Sequence, residues 1–345
     1  MKIPTVGIDL AMNVFQVHAV DERGAVVLRK QLRRDQMTAF FANLPPSVIG
    51  MEACGSAHQW ARTLKTLGHD TRLMSPQFVK PYVKSNKNDV ADAEAICEAV
   101  ARPNMRFVPV KSVEQQAVLS LHRVRQGFVK ARTAQANQIR SLLGEFGLIM
   151  PAGICHVAKR VPRLLEDASN ALPGSFRQLI TRLTERLKEL DSLVDEFEAQ
   201  IKAWHRSSEL SMKLEKIPGI GPLGASALVA SIADANSFAN GRQLSAWLGL
   251  VPRQHSGGGN PTLLGISKRG DVYLRTLLIH GARSAILAAQ RKAVNTNVWL
   301  AGLLERRHPN IAAVALANKN VRTVWALLAH GREFKPNYAA QLLAA

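Results

Sequence analysis

Cysteine is scarce in this chain: Cys54, Cys97 and Cys155 are the only ones in 345 residues. Their number is odd and no two share a CxxC spacing, so neither a disulfide framework nor a zinc site is expected, and reduced thiols in a cytoplasm are the default. Long apolar runs are also missing. No stretch approaches the about 18 residues that a membrane helix needs, and Met1 to Leu10 lacks the basic segment and apolar stretch of a signal peptide. Acidic residues are the third shortage, with 26 Asp and Glu against 45 Lys and Arg, a net charge of +19. That surplus, at a pI near 10.4, suits a polyanion better than an acidic small molecule, because the basic residues run along the whole chain.

What is present points to folded domains. Apolar residues make up 47%, which excludes a disordered basic tail, and the length allows two or three domains with cores of their own. No internal repeat or low-complexity tract is evident. Residues 1–110 read as an alternating α/β unit: strands at Thr5–Leu10, Phe15–Val20 and Ala25–Arg29, the last two joined by an Asp21–Gly24 turn. A helix over about Met37–Asn43 leads to a buried strand at Val48–Met51. A helix near Ala57–Leu67, a strand at Thr71–Met74 and a helix starting near Asp89 complete the unit. The initial three-strand meander fits a ribonuclease H-like fold and not a Rossmann fold, which needs a crossover helix after its first strand.

Residues 111–206 change to long helices. Phe176, Ile180, Leu183, Leu187, Leu190, Val194, Phe197, Ile201 and Trp204 recur at 4-3-4-3 spacing, the seam of a coiled coil. An upstream helix from about Val113 to Phe146 shows a looser seam through Ala117, Leu121, Val124, Phe128 and Ala131. Pro151 to Pro173 reads as the turn between the two. The same upstream helix carries Arg123, Arg125, Lys130, Arg132 and Arg140 against Glu114 alone, which is either a solvated face or a surface tracking a nucleic-acid backbone. The seam itself fits an ordinary helical bundle or, given its length, an intermolecular coiled coil. Residues 207–345 form a third, mostly helical unit with a glycine-rich interruption at Ser256–Gly265.

Three constellations carry chemistry. The first is acidic: Asp9 ends one predicted strand, Glu52 ends another, and Asp89 and Asp92 open a helix at i,i+3 on one face. A lone strand-end Asp is commonly a cap or structural. Four, in this order on this topology, are what two divalent ions require to stabilise the entering and leaving oxygens of phosphoryl transfer. The second is Ile217-Pro218-Gly219-Ile220-Gly221, a turn into a helix with bare backbone N–H groups at Gly219 and Gly221. It looks like a helix-hairpin-helix gripping a phosphate backbone, although glycines there also permit tight helix packing. The third is Val251 to Gly259, where Ser256 heads a glycine run, with Arg253, Lys268 and Arg269 placed to neutralise a phosphate. Serine in such a loop is usually just a turn, and no His/Asp partner marks a triad.

Taken together, Gly7-Ile8-Asp9, Glu52-Ala53, Lys87-Asn88-Asp89-Val90-Ala91-Asp92-Ala93, the Ile217–Gly221 turn and Gly249-Leu250-Val251-Pro252 leading to Ser256-Gly257 resemble the DEDD-type insertion-sequence transposases and the related Piv-type DNA invertases, over essentially the whole chain. The resemblance implies that Asp9, Glu52, Asp89 and Asp92 hold Mg²⁺ in a ribonuclease H-like domain, and that Ser256 attacks DNA to give a phosphoserine intermediate. It further implies a tetramer whose acidic site and serine come from different protomers, double-stranded DNA as substrate, and a structured non-coding guide RNA as partner. A prokaryotic cytoplasm, at the nucleoid when active, is the expected location. The segment after Ser256 departs from the family, and no general base is assigned. Two alternatives remain beside a serine recombinase: a metal-only nuclease or junction resolvase, and a non-catalytic nucleic-acid-binding protein.

Overall fold

The computed structural model describes residues 5–84, 88–292 and 298–335. Contacts divide the chain into two units, Met1–Gln116 with Ser231–Ala239, and Ala117–Ala230 with Asn240–Ala345. The helical middle and the C-terminal segment, separated at residue 206 by the sequence reading, therefore share one unit.

In the first unit, β1 (Thr5–Leu10), β2 (Val14–Val20) and β3 (Val26–Arg33) form an antiparallel meander. Asp21 closes its second turn, accepting from the Arg23 and Ala25 N–H groups at 2.8 and 2.9 Å. After α1 (Met37–Ala42), β4 (Val48–Glu52) adds parallel to β1. After α2 (Ala57–Thr66), β5 (Asp70–Met74) adds parallel to β4. A short α3 (Pro76–Val79) precedes α4 (Asp89–Val100), and β6 (Phe107–Val108), which the sequence pattern does not show, closes the edge antiparallel to β5. The sheet order is β3-β2-β1-β4-β5-β6.

Strand alternation gives the sheet two different faces. Val6, Ile8, Phe15, Val17, Ile49 and Met51 are buried in one core with Trp60 and Leu64 of α2. The opposite face receives α4, and it does so through glycine. A Cβ at Gly7 would stand 2.3 Å from the Ala93 carbonyl oxygen and 2.4 Å from the Cys97 nitrogen, and one at Gly50 would stand 2.7 Å from Val100 Cβ. With no side chain at either position, the α4 backbone lies directly on β1 and β4.

The second unit begins with α5 (Val113–Glu145), most of which belongs to it, and continues through α6 (Ile154–Glu166) and α7 (Gly174–Ser207). The α7 seam is as the heptads predict: Ile180, Leu187, Leu190, Val194 and Ile201 are buried. Its cover comes from the same chain. The Phe128–Phe197 and Phe146–Phe176 ring pairs, 5.6 and 4.1 Å between centroids, run α5 and α7 antiparallel, so burying this seam does not require a second protomer. On α5 the inner stripe is displaced by one residue from the expected one: Val118, His122, Ala136, Ile139 and Leu143 are buried, while Ala117, Val124 and Ala131 are exposed. The displacement has a physical cause. Several inner positions are polar and invisible to an apolar pattern, yet each is partnered. Arg125 pairs with Glu198 at 2.6 Å and Arg132 with Asp191 at 2.9 Å, and His122 lies between the Tyr273 hydroxyl at 2.9 Å and Ser226 Oγ at 3.0 Å.

The stretch expected as a turn, Pro151–Pro173, contains α6 with Pro162 inside it. An interior proline costs about 3 kcal/mol, but Val157 and Val161 bury completely and Leu164 and Leu165 pack beside them, which outweighs it. The rest comprises α8 (Glu209–Glu215), α9 (Pro222–Ile232), α10 (Gly241–Trp247), the hairpin of β7 (Pro252–Gln254) and β8 (Leu263–Ile266), α11 (Val272–Lys292), α12 (Val298–Arg306) and α13 (Pro309–His330). Among the described residues no helix is long and apolar enough to cross a membrane.

Burial, and secondarily Arg125, push the His122 pKa down to about 4. The unfolded chain titrates near 6.5, so the stability held in a neutral His122 is complete above that pH and is lost as the pH falls toward 4. The loss is about 3 kcal/mol. Urea unfolding between pH 7 and 4 should show it in wild type and show a correspondingly shallower decline in His122→Gln.

Candidate active site

Asp9 follows Gly7 by two residues on β1 and so shares the face that receives α4. Asn88 caps that helix, its side chain accepting from the Val90 and Ala91 N–H groups at 2.8 and 3.1 Å. The cap fixes the first turn, where Asp89 and Asp92 gain from the positive end of the helix dipole. One carboxylate oxygen from each of Asp9, Asp89 and Asp92 comes within 4.8 Å of the others. Lys87, which precedes the cap, lies outside the described residues.

Glu52 is beside this cluster and not within it. The β1–β4 register ends at Ile8↔Met51, and one step further sets Asp9 and Glu52 side by side. Both carboxylates act on Cys54: burial first, then Glu52 and Asp9, raise its thiol pKa. Three hard oxygen donors at this spacing, with a fourth adjacent, fit a hard divalent cation. Without one, they repel each other across the end of the sheet.

The second unit holds the remaining expected residues. Ser256 follows β7 at the mouth of the hairpin, exposed, with its Oγ accepting from Gln254 Nε2 at 2.9 Å and from the Thr262 N–H at 3.1 Å. Arg253, Lys268 and Arg269 are all exposed. The hairpin's root is tightly fixed. A Cβ on Gly249 would meet the Arg269 carbonyl oxygen at 2.1 Å and one on Gly270 the Trp247 carbonyl oxygen at 1.9 Å. The buried Arg275 guanidinium donates to Leu248 and Arg269 carbonyls at 3.0 Å each. A purely local reading of Ser256 cannot find Arg275, whose role depends on a contact 27 residues away.

The Ile217–Gly221 turn connects α8 to α9, but its two glycines differ. Gly219 adopts φ +92° and packs against Gly281 of α11, where a Cβ would meet the carbonyl oxygen at 2.8 Å. Its glycine is spent on helix packing, the alternative that the sequence left open. Gly221 opens onto space at the start of α9, beside a cavity of about 270 Å³ that Lys202 and His280 also line. Of the basic residues on α5, Arg125 and Arg132 are engaged by Glu198 and Asp191, whereas Arg123 and Lys130 are exposed.

Two family models match separate segments of the chain. Residues 6–147, which contain all four acids, match the DEDD_Tnp_IS110 family, described as "Transposase". Residues 211–296, which contain the turn and Ser256, match the "Transposase IS116/IS110/IS902 family". A "Probable family 20 transposase" of Pseudomonas aeruginosa is 52% identical over 97% of this chain and 100% of its own length. The chain belongs to the IS110/IS116 transposase family. The "Transposase for insertion sequence element IS1111A" of Coxiella burnetii is 44% identical over 96% of this chain and 92% of its own. The "Transposase for insertion sequence element IS1328" of Yersinia enterocolitica is 43% identical over 96% and 99%. As an IS110/IS116 transposase the protein acts in DNA cleavage and strand transfer, and its DEDD class implies a divalent metal.

Proposed function

We propose that this transposase moves its insertion sequence as a serine recombinase. Asp9, Glu52, Asp89 and Asp92 hold Mg²⁺, and Ser256 is the nucleophile. The observation that carries the reading is the convergence of Asp9, Asp89 and Asp92 within 4.8 Å on a sheet of order β3-β2-β1-β4-β5-β6, which supports a ribonuclease H-like assignment. When bound, the ions stabilise charge on the entering and leaving oxygens.

The chain's own groups supply the rest. Ser256 Oγ accepts two hydrogen bonds, from Gln254 and Thr262, and these stabilise the alkoxide left when its proton departs. The oxygen bonds to phosphorus while the bond from phosphorus to the leaving deoxyribose oxygen breaks; the serine proton passes to solvent and solvent returns one to the leaving oxygen, which departs as a hydroxyl. Reversal with a different strand end transfers the DNA and frees the serine. Arg253, Lys268 and Arg269 offset phosphate charge. Gly221 at the start of α9, with Arg123 and Lys130 on α5, extends the contact to double-stranded DNA and to a structured guide RNA, for which the net charge of +19 is suited. A tetramer joining sites of different protomers, through surfaces other than the α5–α7 seam, completes this reading.

A metal-only nuclease is the second reading, favoured by one observation: the acidic cluster needs no residue of the second unit. Ser256→Ala separates the two. Wild type with end-labelled element DNA should leave a covalent adduct on a denaturing gel, and the variant none, with cleavage down by at least about 10³-fold, as for loss of a nucleophile. Cleavage persisting in the variant would establish attack by water.

A further inference from the structure

Leu263 shares a face of the β7–β8 hairpin with the Ser256 hydroxyl. It pairs across the ribbon with Gln254, and directly paired residues project to the same side. The Gln254 amide in turn reaches Ser256 Oγ at 2.9 Å. Leu263 is 64% exposed, an apolar side chain left open beside a polar group that must meet a phosphate.

The surroundings select the occupant. From Leu250 to Gly270 the chain has no Asp or Glu, while Arg253, Lys268 and Arg269 are exposed at the hairpin's root. A second copy would bring the same positive ribbon and be repelled. A polyanion with an apolar interior complements both features, and duplex DNA is one.

We propose that this face of the hairpin lies in a DNA groove, with Leu263 wedged at the base step beside the phosphate that Ser256 attacks. The inference rests on the DNA-cleaving role of Ser256 proposed above. For Ser256 Oγ to reach phosphorus, its face of the ribbon must lie against the duplex, and Leu263 arrives there with it. A two-stranded ribbon is of a size that a groove admits, and apolar side chains such as leucine part base steps by partial unstacking. The root held by Gly249, Gly270 and Arg275 keeps the ribbon from yielding when the wedge enters. Leu263 thereby acts as a positioning residue: it opens the step and presents the phosphate.

Permanganate footprinting of unstacked thymines tests this on a duplex carrying the joined element ends, with the RNA transcribed from the element's non-coding flank present throughout and with Ser256→Ala protein so that the DNA stays intact. Thymines flanking the cut mapped with wild type should become at least about threefold more reactive than in free DNA. Adding Leu263→Asn should return them to the free-DNA level when both proteins are compared at concentrations that saturate the duplex by anisotropy, so that a difference in affinity does not enter the readout. Enhanced reactivity that survives Leu263→Asn, or normal binding with no enhancement in either protein, overturns the wedge and leaves the DNA-cleaving reading standing. Failure of both proteins to bind the duplex overturns that reading and the wedge together.

Discussion

Asp92→Asn is expected to lower DNA cleavage by about 10³-fold and to leave the metal-free protein as stable as wild type or slightly more so. The first half follows from its place in the cluster with Asp9 and Asp89. A carboxylate that helps hold the metal is worth several kcal/mol in the transition state, and each 1.4 kcal/mol is about tenfold in rate. The second half follows from repulsion. Two like charges within 4.8 Å cost about 1 kcal/mol each in a water-like medium. Loss of the favourable helix-dipole interaction at the start of α4 gives back only about 0.3–1 kcal/mol. Cleavage of supercoiled element DNA and thermal melting in EDTA measure the two halves. A variant that loses activity because it unfolds would show a lowered melting temperature, which this reading does not allow.

Gly7→Ala should damage both fold and activity without touching a carboxylate. The added methyl would stand 2.3 Å from the Ala93 carbonyl and 2.4 Å from the Cys97 nitrogen. Both are backbone, so no rotamer relieves the clash and α4 must lift from β1. Overpacking of this kind costs about 3 kcal/mol. The same lift moves Asp89 and Asp92 away from Asp9. A displacement near 1 Å of reacting groups can cost about 10²-fold in rate, so the folded fraction should also cleave poorly. Urea unfolding and cleavage per folded molecule check the two effects. Gly24→Ala is the control, because nothing lies within 4 Å of a Cβ there although its φ of +80° adds some strain.

Both effects arise from residues that differ in how they can be read. Asp9 and Glu52 are legible because short apolar runs end in an acid, and Asp89 and Asp92 because Asn88 announces a helix start. Those local signals place β1, β4 and α4 within a residue or two of where they lie. Gly7 is different: nothing local distinguishes a glycine in a strand from a weak spot, and its purpose appears only when α4 is laid across it. The stripe on α5 was hidden because His122, Arg125 and Arg132 occupy inner positions and satisfy their polarity with Ser226, Tyr273, Glu198 and Asp191. Pro162 concealed α6 in the same way, by making a helix look like a turn. The α7 heptads were plain in the sequence, but heptads alone do not say whether the facing helix belongs to the same chain. Ser256 is the hardest case. Its hydrogen bonds to Gln254 and Thr262 are those of a serine in a hairpin, and only family resemblance and the flanking cations lift it above that.

We propose that the ends of β1 and β4 and the start of α4 build one divalent-metal centre. Calorimetric titration of Mn²⁺, a stand-in for Mg²⁺, into wild type and Asp92→Asn tests it most directly. Saturable binding in wild type that is lost or weakened by at least about tenfold in the variant is the predicted result. Equal isotherms for the two proteins would contradict it.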